Sequence, residues 1–258
     1  MNRSNPTRPR YNRSMQLSII IPALNEAHHI AAVLLRLQPL RARGVAVIVV
    51  DGGSADATAS VAKPLVDRVI VSTNEQGKGS GRGRGRARQM NAGAALATGD
   101  VLLFLHADSI LPDGADELIL RRLPNCNRTW GRFNVSISGK HFFLPVIAWF
   151  MNWRSRLTGI ATGDQAIFVT RLAFDAVGGF PDQLLMEDVE ITSRLKKRSA
   201  PLCLQEKVIT SGRRWEKHGV WRTIGLMWRL RCQYALGAAP ADLHRSYYGN
   251  SEQGNNGK

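Results

Sequence analysis

The segment at 99–108, with the sequence GDVLLFLHAD, decides how the rest of the chain is interpreted. Its apolar run is typical of a buried strand, and the run is followed by His106 and Asp108. In an open α/β sheet, ligands bind in the crevice outside the carboxyl ends of the parallel strands. The pattern therefore predicts a strand that carries the Asp108 carboxylate to a binding edge.

Strand and helix signals alternate on both sides of this segment. Apolar runs rich in β-branched residues predict strands at 17–21, 45–50, 68–71 and 101–105. Helices are predicted between them at 26–38, 54–62 and 86–97. The second half is less regular, with an exposed strand predicted at 133–138, a strand at 165–169, and helices at 188–197 and 219–236. Such alternation predicts an α/β fold with a mostly parallel central sheet and helices on both faces.

Composition limits the classes of protein to which the chain belongs. Its 258 residues are 44% hydrophobic and carry a formal net charge of +15. We expect one large domain at 15–248, a disordered basic tail at 1–14 and a disordered tail at 249–258. The charge favours anionic partners, namely phosphates, nucleic acid or an anionic membrane surface. The three cysteines lack ligand-like spacing and residues 1–14 do not resemble a secretory signal, so we expect a cytoplasmic protein.

The longest apolar run, at 142–153, is shorter than the roughly 20 residues needed to cross a bilayer. This run and the helix at 219–236 contain four of the six tryptophans, namely Trp149, Trp153, Trp221 and Trp228. Aromatic and basic segments suit a membrane interface, and they also suit an ordinary core. The membrane hypothesis places the protein peripherally on the inner face of the cell membrane, next to a lipid-soluble acceptor.

The Gly-Arg run at 77–86 has three interpretations: an RNA-binding segment, a phosphate cradle or a flexible insertion. Residues 74–90 contain no aromatic side chain on which bases would stack. We therefore favour a mobile loop and do not expect nucleic acid to be a partner.

Several short segments resemble family-2 glycosyltransferases of the GT-A fold. In the first half these are IPALNE at 21–26, VDGGSAD at 50–56, RARQMNAG at 86–93 and the strand end at Asp108. In the second half they are GDQAIF at 163–168, GGF at 178–180, MED at 186–188 and RRW at 213–215. The later segments resemble a bacterial subgroup of small members that includes carotenoid-acid glucosyltransferases.

The resemblance implies a GT-A nucleotide-diphospho-sugar transferase. Such an enzyme moves a hexosyl group from a nucleotide-sugar donor, here a UDP-sugar, to a small or lipid-like acceptor with inversion. It also implies which residues contact the donor: Pro22, Ala23, Asn25, Glu26, Asp51, Gly53, Arg86, Gln89, Arg213, Arg214 and Trp215. Asn25 also suits a plain helix cap. The basic pair and Trp215 would close over the leaving diphosphate, or they form a solvated basic patch.

The resemblance assigns a metal and a base as well. Family members commonly end the fourth strand with Asp-x-Asp, and here His106 takes the first position. Asp108 would hold Mn²⁺ or Mg²⁺, with His106 either a second ligand or packed under the loop. Asp188 would be the catalytic base with Glu187 beside it, and Asp164 would lie on the acceptor side. The alternatives are a nucleotidyltransferase, a nucleic-acid-binding basic protein and a sugar-nucleotide sensor without turnover.

Overall fold

The segment that precedes His106 is a buried strand, Val101–Phe104. In the computed structural model, which describes residues 15–72 and 85–252, this strand lies at the centre of an eight-stranded sheet. The strands are β1 Leu17–Ala23, β2 Ala46–Asp51, β3 Arg68–Val71, β4 Val101–Phe104, β5 Ser109–Ile110, β6 Trp130–Ser138, β7 Phe168–Thr170 and β8 Leu202–Ser211.

Eleven helices are found in the described residues, together with two short 3₁₀ turns at Lys63–Leu65 and Gly163–Gln165. The helices are α1 Ala27–Arg36, α2 Gln38–Ala42, α3 Thr58–Ala62, α4 Arg86–Leu96, α5 Ala115–Arg122, α6 Leu144–Thr158, α7 Arg171–Ala176, α8 Glu187–Lys196, α9 Arg213–His218, α10 Val220–Ala235 and α11 Pro240–Glu252.

The sheet has two differently built halves. Its strand order is β3-β2-β1-β4-β7-β6-β8-β5. The pairs from β3 to β4 are all parallel, as is the β6–β8 pair. Strand β7 runs antiparallel to both β4 and β6, and β5 runs antiparallel to β8. The predicted α/β class with a mostly parallel sheet is confirmed.

Helices cover both faces of the parallel half because side chains alternate along each strand. Ile19 belongs to a core with Leu34 of α1, whereas Ile20 belongs to a separate core with Met90 of α4. Helix α4 approaches β1 closely at Gly93, where an added Cβ would lie 2.5 Å from Cγ2 of Ile20. Burying one such aliphatic side chain contributes about 1.5–3 kcal/mol, so these two cores fix the strand ends that carry the site.

Two secondary-structure predictions were wrong in instructive ways. The helix predicted at 26–38 divides at Leu37, because Pro39 in the first turn of α2 has no N–H to continue the helix. The exposed strand predicted at 133–138 is the interior strand β6, with β7 and β8 on either side. Its polar residues Asn134 and Ser136 are half-buried in an open groove beside helix α6, while Val135 and Ile137 pack in one cluster with Leu144 of that helix.

Parts of the expected organisation lie outside the described residues. These are the predicted tail at 1–14, most of the Gly-Arg run at 77–86, and residues 253–258. Helix α11 continues to Glu252, past the domain end expected at 248. No helix in the described part of the chain combines the length and apolar character needed to cross a membrane.

The close packing of β6 generates a stability prediction. A Cβ at Gly131 would lie 2.3 Å from the carbonyl oxygen of Leu202 in β8 and 2.5 Å from Cζ of Phe168. Because a backbone atom cannot move aside, we expect Gly131→Ala to lower the free energy of unfolding by about 1–3 kcal/mol. The matched control is Gly225→Ala in α10, where no atom lies within 4 Å and alanine favours the helix. Urea unfolding midpoints that fall equally for both variants would contradict this account of the sheet.

Candidate active site at the carboxyl edge of the sheet

The carboxyl ends of β1, β2 and β4 meet at one edge because the three strands are parallel and in register. Ile20 pairs with Phe104, and Pro22 pairs with Val50. The turns that follow these strands therefore bring Asn25, Asp51 and the segment at 106–108 to the same edge. Pro22 and Ala23 lie within β1 itself and are buried.

The turns after β1 and β2 are tied together by polar side chains. Asp51 is buried, and its Oδ1 accepts hydrogen bonds from the backbone N–H (3.1 Å) and the hydroxyl of Ser54. The Ser54 Oγ accepts from the backbone N–H of Asn25 at 2.9 Å. In return, the Asn25 side chain accepts from the backbone N–H of Ala55 at 2.8 Å. These hydrogen bonds hold the two turns together as one unit.

The prediction that Asn25 caps the first helix is therefore wrong. Asn25 has a left-handed backbone (φ 55°), and the N-cap position of α1 is Glu26, whose side chain makes no capping bond. The Asn25 amide is engaged with the neighbouring turn instead of with its own helix. Asparagine tolerates this conformation better than most residues, which explains its use at this position.

Gln89 and the two glycines lie against these turns. Gln89 is buried, and a Cβ at Gly52 would lie 2.2 Å from its Nε2. Gly52 therefore leaves the space in which the Gln89 side chain crosses the turn. Gly53 has a left-handed backbone (φ 82°), which glycine adopts at little cost.

A second group of polar residues lies beyond β4. The His106 Nδ1 is 3.2 Å from Oδ1 of Asp164, and a Cβ at Gly163 would lie 2.2 Å from the His106 Nε2. The backbone N–H of Gly163 donates to Oδ2 of Asp188 at 2.9 Å, while the N–H of Val189 donates to Oδ1 at 2.8 Å. The turn at 163–165 therefore joins the predicted metal and catalytic residues, and the paired amides fix the orientation of the Asp188 carboxylate.

Glu187 differs from its neighbour Asp188 in burial. Glu187 is buried at the start of α8, and its Oε1 is 3.7 Å from Nη1 of Arg86. Burial, and then the charge of Asp188, raise the pKa of Glu187 above its usual range, although Arg86 and His106 oppose the shift. Asp188 is only half-buried. Of the two acids, Asp188 is thus the one accessible to a ligand.

Arg213 links the two sides of the edge. It follows β8, and its Nη2 is 3.3 Å from Oε2 of Glu26 and 3.7 Å from Oδ2 of Asp108. Trp215, in contrast, is partly buried against Ile137 and Leu144. The side chain of Arg214 lies outside the described part. Of the predicted 213–215 segment, the structure thus brings Arg213 to the carboxylates.

The residues around Asp108 suit a divalent ion held by one protein carboxylate. No group of three or more His, Cys, Asp or Glu side chains that would hold a metal occurs within 15–72 and 85–252. His106 is directed to Asp164, so its pairing with Asp108 as a second ligand has no support from the geometry. Mg²⁺ and Mn²⁺ prefer oxygen and take ligands from phosphate and water. Asp108 fits such a site when a diphosphate supplies the other oxygens.

Sequence patterns did not single out Arg154 of α6, which the fold brings to the Asp188 side of the site. Its guanidinium interacts electrostatically with Asp188 and with Arg231 of α10. The available signal was an arginine one position after Trp153, where the apolar first part of the helix gives way to polar residues.

Glu187 makes stability depend on pH. Because its pKa is higher in the folded than in the unfolded protein, this carboxyl stabilises the fold fully only below the unfolded value, about 4.3. That contribution is lost as the pH rises through the folded value. We therefore expect the melting temperature of Glu187→Gln, relative to the unsubstituted protein, to increase between pH 4 and pH 8. Calorimetry across this range measures the difference, and a difference that is flat or falls with pH would contradict the assignment.

The Glycosyl transferase family 2 model matches residues 18–173. A search of curated protein sequences finds no match.

Solved structures share the fold at low identity. Mannosyltransferase PcManGT from Pyrobaculum calidifontis is 20% identical with a TM-score of 0.60, over 92% of this chain and 70% of that one. S. aureus TarS 1–349 is 16% identical with a TM-score of 0.58, over 77% of this chain and 61% of that one. Glucosyl-3-phosphoglycerate synthase from Mycobacterium tuberculosis is 17% identical with a TM-score of 0.54, over 75% and 70%. This chain thus spans less than two thirds of the TarS chain. Because the family model matches more than half of the sequence, the chain belongs to glycosyl transferase family 2, and its fold is GT-A.

Proposed function

We propose that the protein transfers a hexosyl group from a UDP-sugar to a hydroxyl of a lipid-like acceptor, with inversion at the anomeric carbon. The observation that carries this proposal is the convergence, at one edge of the sheet, of Asp108 beside Arg213 and of Asp188 beside the turn at 163–165. Similar structures contain such donors: PcManGT with GDP-Man and Mn²⁺, TarS with UDP-GlcNAc, and the synthase with UDP-Glc and Mn²⁺.

The braced turns after β1 and β2 form the nucleoside side of the proposed donor site. Oδ1 of Asp51 is occupied by Ser54, whereas Oδ2 accepts no hydrogen bond from a described residue. We propose that this oxygen accepts the imide N–H of a uracil base, as the resemblance to UDP-sugar enzymes implies. Gly53 allows the backbone to approach the ligand closely.

The diphosphate side combines a helix start with two arginines. Arg86 is the first residue of α4, whose N-terminal amides carry partial positive charge and have no side-chain cap. Arg213 reaches the edge from the opposite side. A Mn²⁺ or Mg²⁺ ion held by Asp108, when bound, would neutralise part of the diphosphate charge.

In the proposed reaction, Asp188 accepts the proton of the acceptor hydroxyl as its oxygen attacks the anomeric carbon. The bond from that carbon to the diphosphate oxygen breaks, and the nucleoside diphosphate leaves with the electron pair. Arg213 offsets the charge that develops on the leaving group. Because the displacement occurs once, it inverts the anomeric configuration.

Two substitutions test these roles in a UDP-sugar hydrolysis assay, in which water replaces the acceptor. We expect Asp108→Ala to lower kcat/KM roughly 10²–10³-fold, since it removes a group that stabilises developing charge. Asp188→Asn should lower it roughly 10²–10⁴-fold, the scale of general base catalysis. The matched control is Asp242→Asn, an exposed carboxylate in α11 that pairs with Arg245. The assay is run over a panel of donor sugars with and without Mn²⁺.

Each outcome has a distinct meaning. A wild-type protein that neither binds UDP nor hydrolyses any donor would contradict the proposal, whereas binding without turnover would support a sugar-nucleotide sensor. In transfer assays, comparable losses for the two variants would indicate a hydroxyl acceptor. A much smaller loss for Asp188→Asn would indicate an acceptor carboxylate, which is already ionised and needs no base.

We also propose that the protein contacts an anionic membrane surface through helices α6 and α10. Trp149 of α6 and Trp221 of α10 are 63% and 69% exposed, and Trp153 and Trp228 are also exposed. Aromatic rings with a polar edge favour the membrane interface, and the net charge of +15 favours anionic headgroups. Such contact suits a lipid-like acceptor of the kind that carotenoid-acid glucosyltransferases use.

Vesicle co-sedimentation tests the membrane proposal. We expect binding to vesicles that contain phosphatidylglycerol, weakened at high salt, and a loss of roughly tenfold in affinity when Trp149 and Trp221 are both replaced by alanine. Leu172→Ala is the control, because Leu172 is 81% exposed on α7, which belongs to a different part of the fold. Equal recovery in the soluble fraction at low and high salt, without vesicle binding, would contradict the proposal.

A further inference from the structure

Helices α6 and α10 lie side by side and run in the same direction. Their aromatic residues pair in order, Phe143 with Trp221 at 5.0 Å between ring centroids and Phe150 with Trp228 at 5.8 Å. We call these two pairs the aromatic seam. One helical turn beyond the Phe150–Trp228 pair, Arg154 of α6 lies next to Arg231 of α10.

The arginine end of the seam reaches the acceptor side of the proposed site. Leu230 of α10 packs in one cluster with Met186, which immediately precedes α8. Arg154 interacts electrostatically with both Arg231 and Asp188. Arg154 is therefore close enough to the proposed catalytic base for their charges to interact, and Arg231 is close to Arg154.

Two nitrogens of the half-buried Arg154 side chain are buried without a hydrogen-bond partner among the described residues. Its Nε and Nη2 atoms are inaccessible and make no hydrogen bond with a described residue. Neither Arg154 nor Arg231 forms an ion pair with a carboxylate of the described chain. Burial, and then the charge of Arg231, lower the pKa of Arg154 to about 10. Buried N–H groups without a hydrogen-bond acceptor are costly, so an anion that accepts from these nitrogens would offset that cost.

The neighbouring Arg132, in contrast, is an arginine whose hydrogen bonds support the fold. It is fully buried, yet it donates to the backbone carbonyls of Phe133 and Asn152 and to the side chain of Asn134. These bonds explain Arg132 as a support for β6 and α6. Arg154 makes no comparable set of hydrogen bonds, so its buried N–H groups remain available to an anionic ligand.

We propose that Arg154 and Arg231 form a subsite for an anionic group, a carboxylate or a phosphate, carried by the acceptor. The planar guanidinium binds either group through paired hydrogen bonds. An acceptor held there has its reactive hydroxyl near Asp188 and its apolar part along the aromatic seam. The acceptor class is therefore an anionic amphiphile. The assignment rests on the proposed function, because it takes Asp188 as the base.

Three probes that share one alkyl chain and differ in their head group test the subsite without knowledge of the natural acceptor. Dodecyl phosphate, dodecanoate and dodecanol are titrated calorimetrically into the full-length protein, below the concentrations at which they aggregate. We expect one or both anions to bind at least tenfold more tightly than the alcohol, and the tighter anion identifies the group. Arg154→Gln and Arg231→Gln should each abolish this preference, and Arg154→Lys should retain part of it.

The control is Arg229→Gln, which removes an equal charge from an exposed position of α10 and should leave the preference unchanged. If Arg154→Gln does not fold, as judged by circular dichroism, Arg231→Gln decides the result. Equal binding of the alcohol, or a preference that survives Arg231→Gln, would overturn the subsite. UDP binding by the same proteins separates the two proposals: its absence in the wild type overturns the donor site and leaves the anion preference as an independent result.

Discussion

The hydrogen bond from the Gly163 N–H to Asp188 joins the two halves of the site, and the surrounding geometry depends on it. Strand β7 pairs antiparallel with β4, and the Phe104 N–H donates to the carbonyl of Ile167 at 2.9 Å. This pairing returns the chain to the end of β4, where the turn at 163–165 passes directly over His106. Any side chain at position 163 would collide with the imidazole. A glycine is therefore what allows the Asp188 carboxylate to be held close to the strand that carries Asp108.

The ion pairs of Arg213 at this edge are weak enough for a charged ligand to replace them. Arg213 is about half exposed, and its pairs with Glu26 and Asp108 measure 3.3 and 3.7 Å. Exposed pairs of this length are worth roughly 0–1 kcal/mol. A diphosphate would replace them with shorter, charge-assisted bonds. The carboxylates thus keep Arg213 at the edge without holding it so firmly that donor binding would become costly.

The sequence predicted the donor side of the molecule better than the acceptor side. The strands that lead to Asp51 and Asp108 are continuous apolar runs, and their parallel pairing follows from their alternation with helices. Strand β6 was misjudged because its alternation reports the two faces of the sheet, and local periodicity does not reveal that β7 and β8 flank the strand. Arg154 was missed for a related reason. Its importance comes from the meeting of three helices that are distant in sequence, and no local pattern records that meeting.

The region that the family model matches corresponds to a distinct part of the sheet. Residues 18–173 include the parallel half and β7, which together build the edge around Asp51 and Asp108. The later helices α8 to α11 contribute Asp188, Arg213 and the α10 side of the aromatic seam. In the proposed function, the matched region supplies most of the residues that bind the donor diphosphate. Helix α10, which borders the proposed acceptor side, lies outside the matched region. The substrate specificity of this chain is therefore to be sought in the contact between α6 and α10.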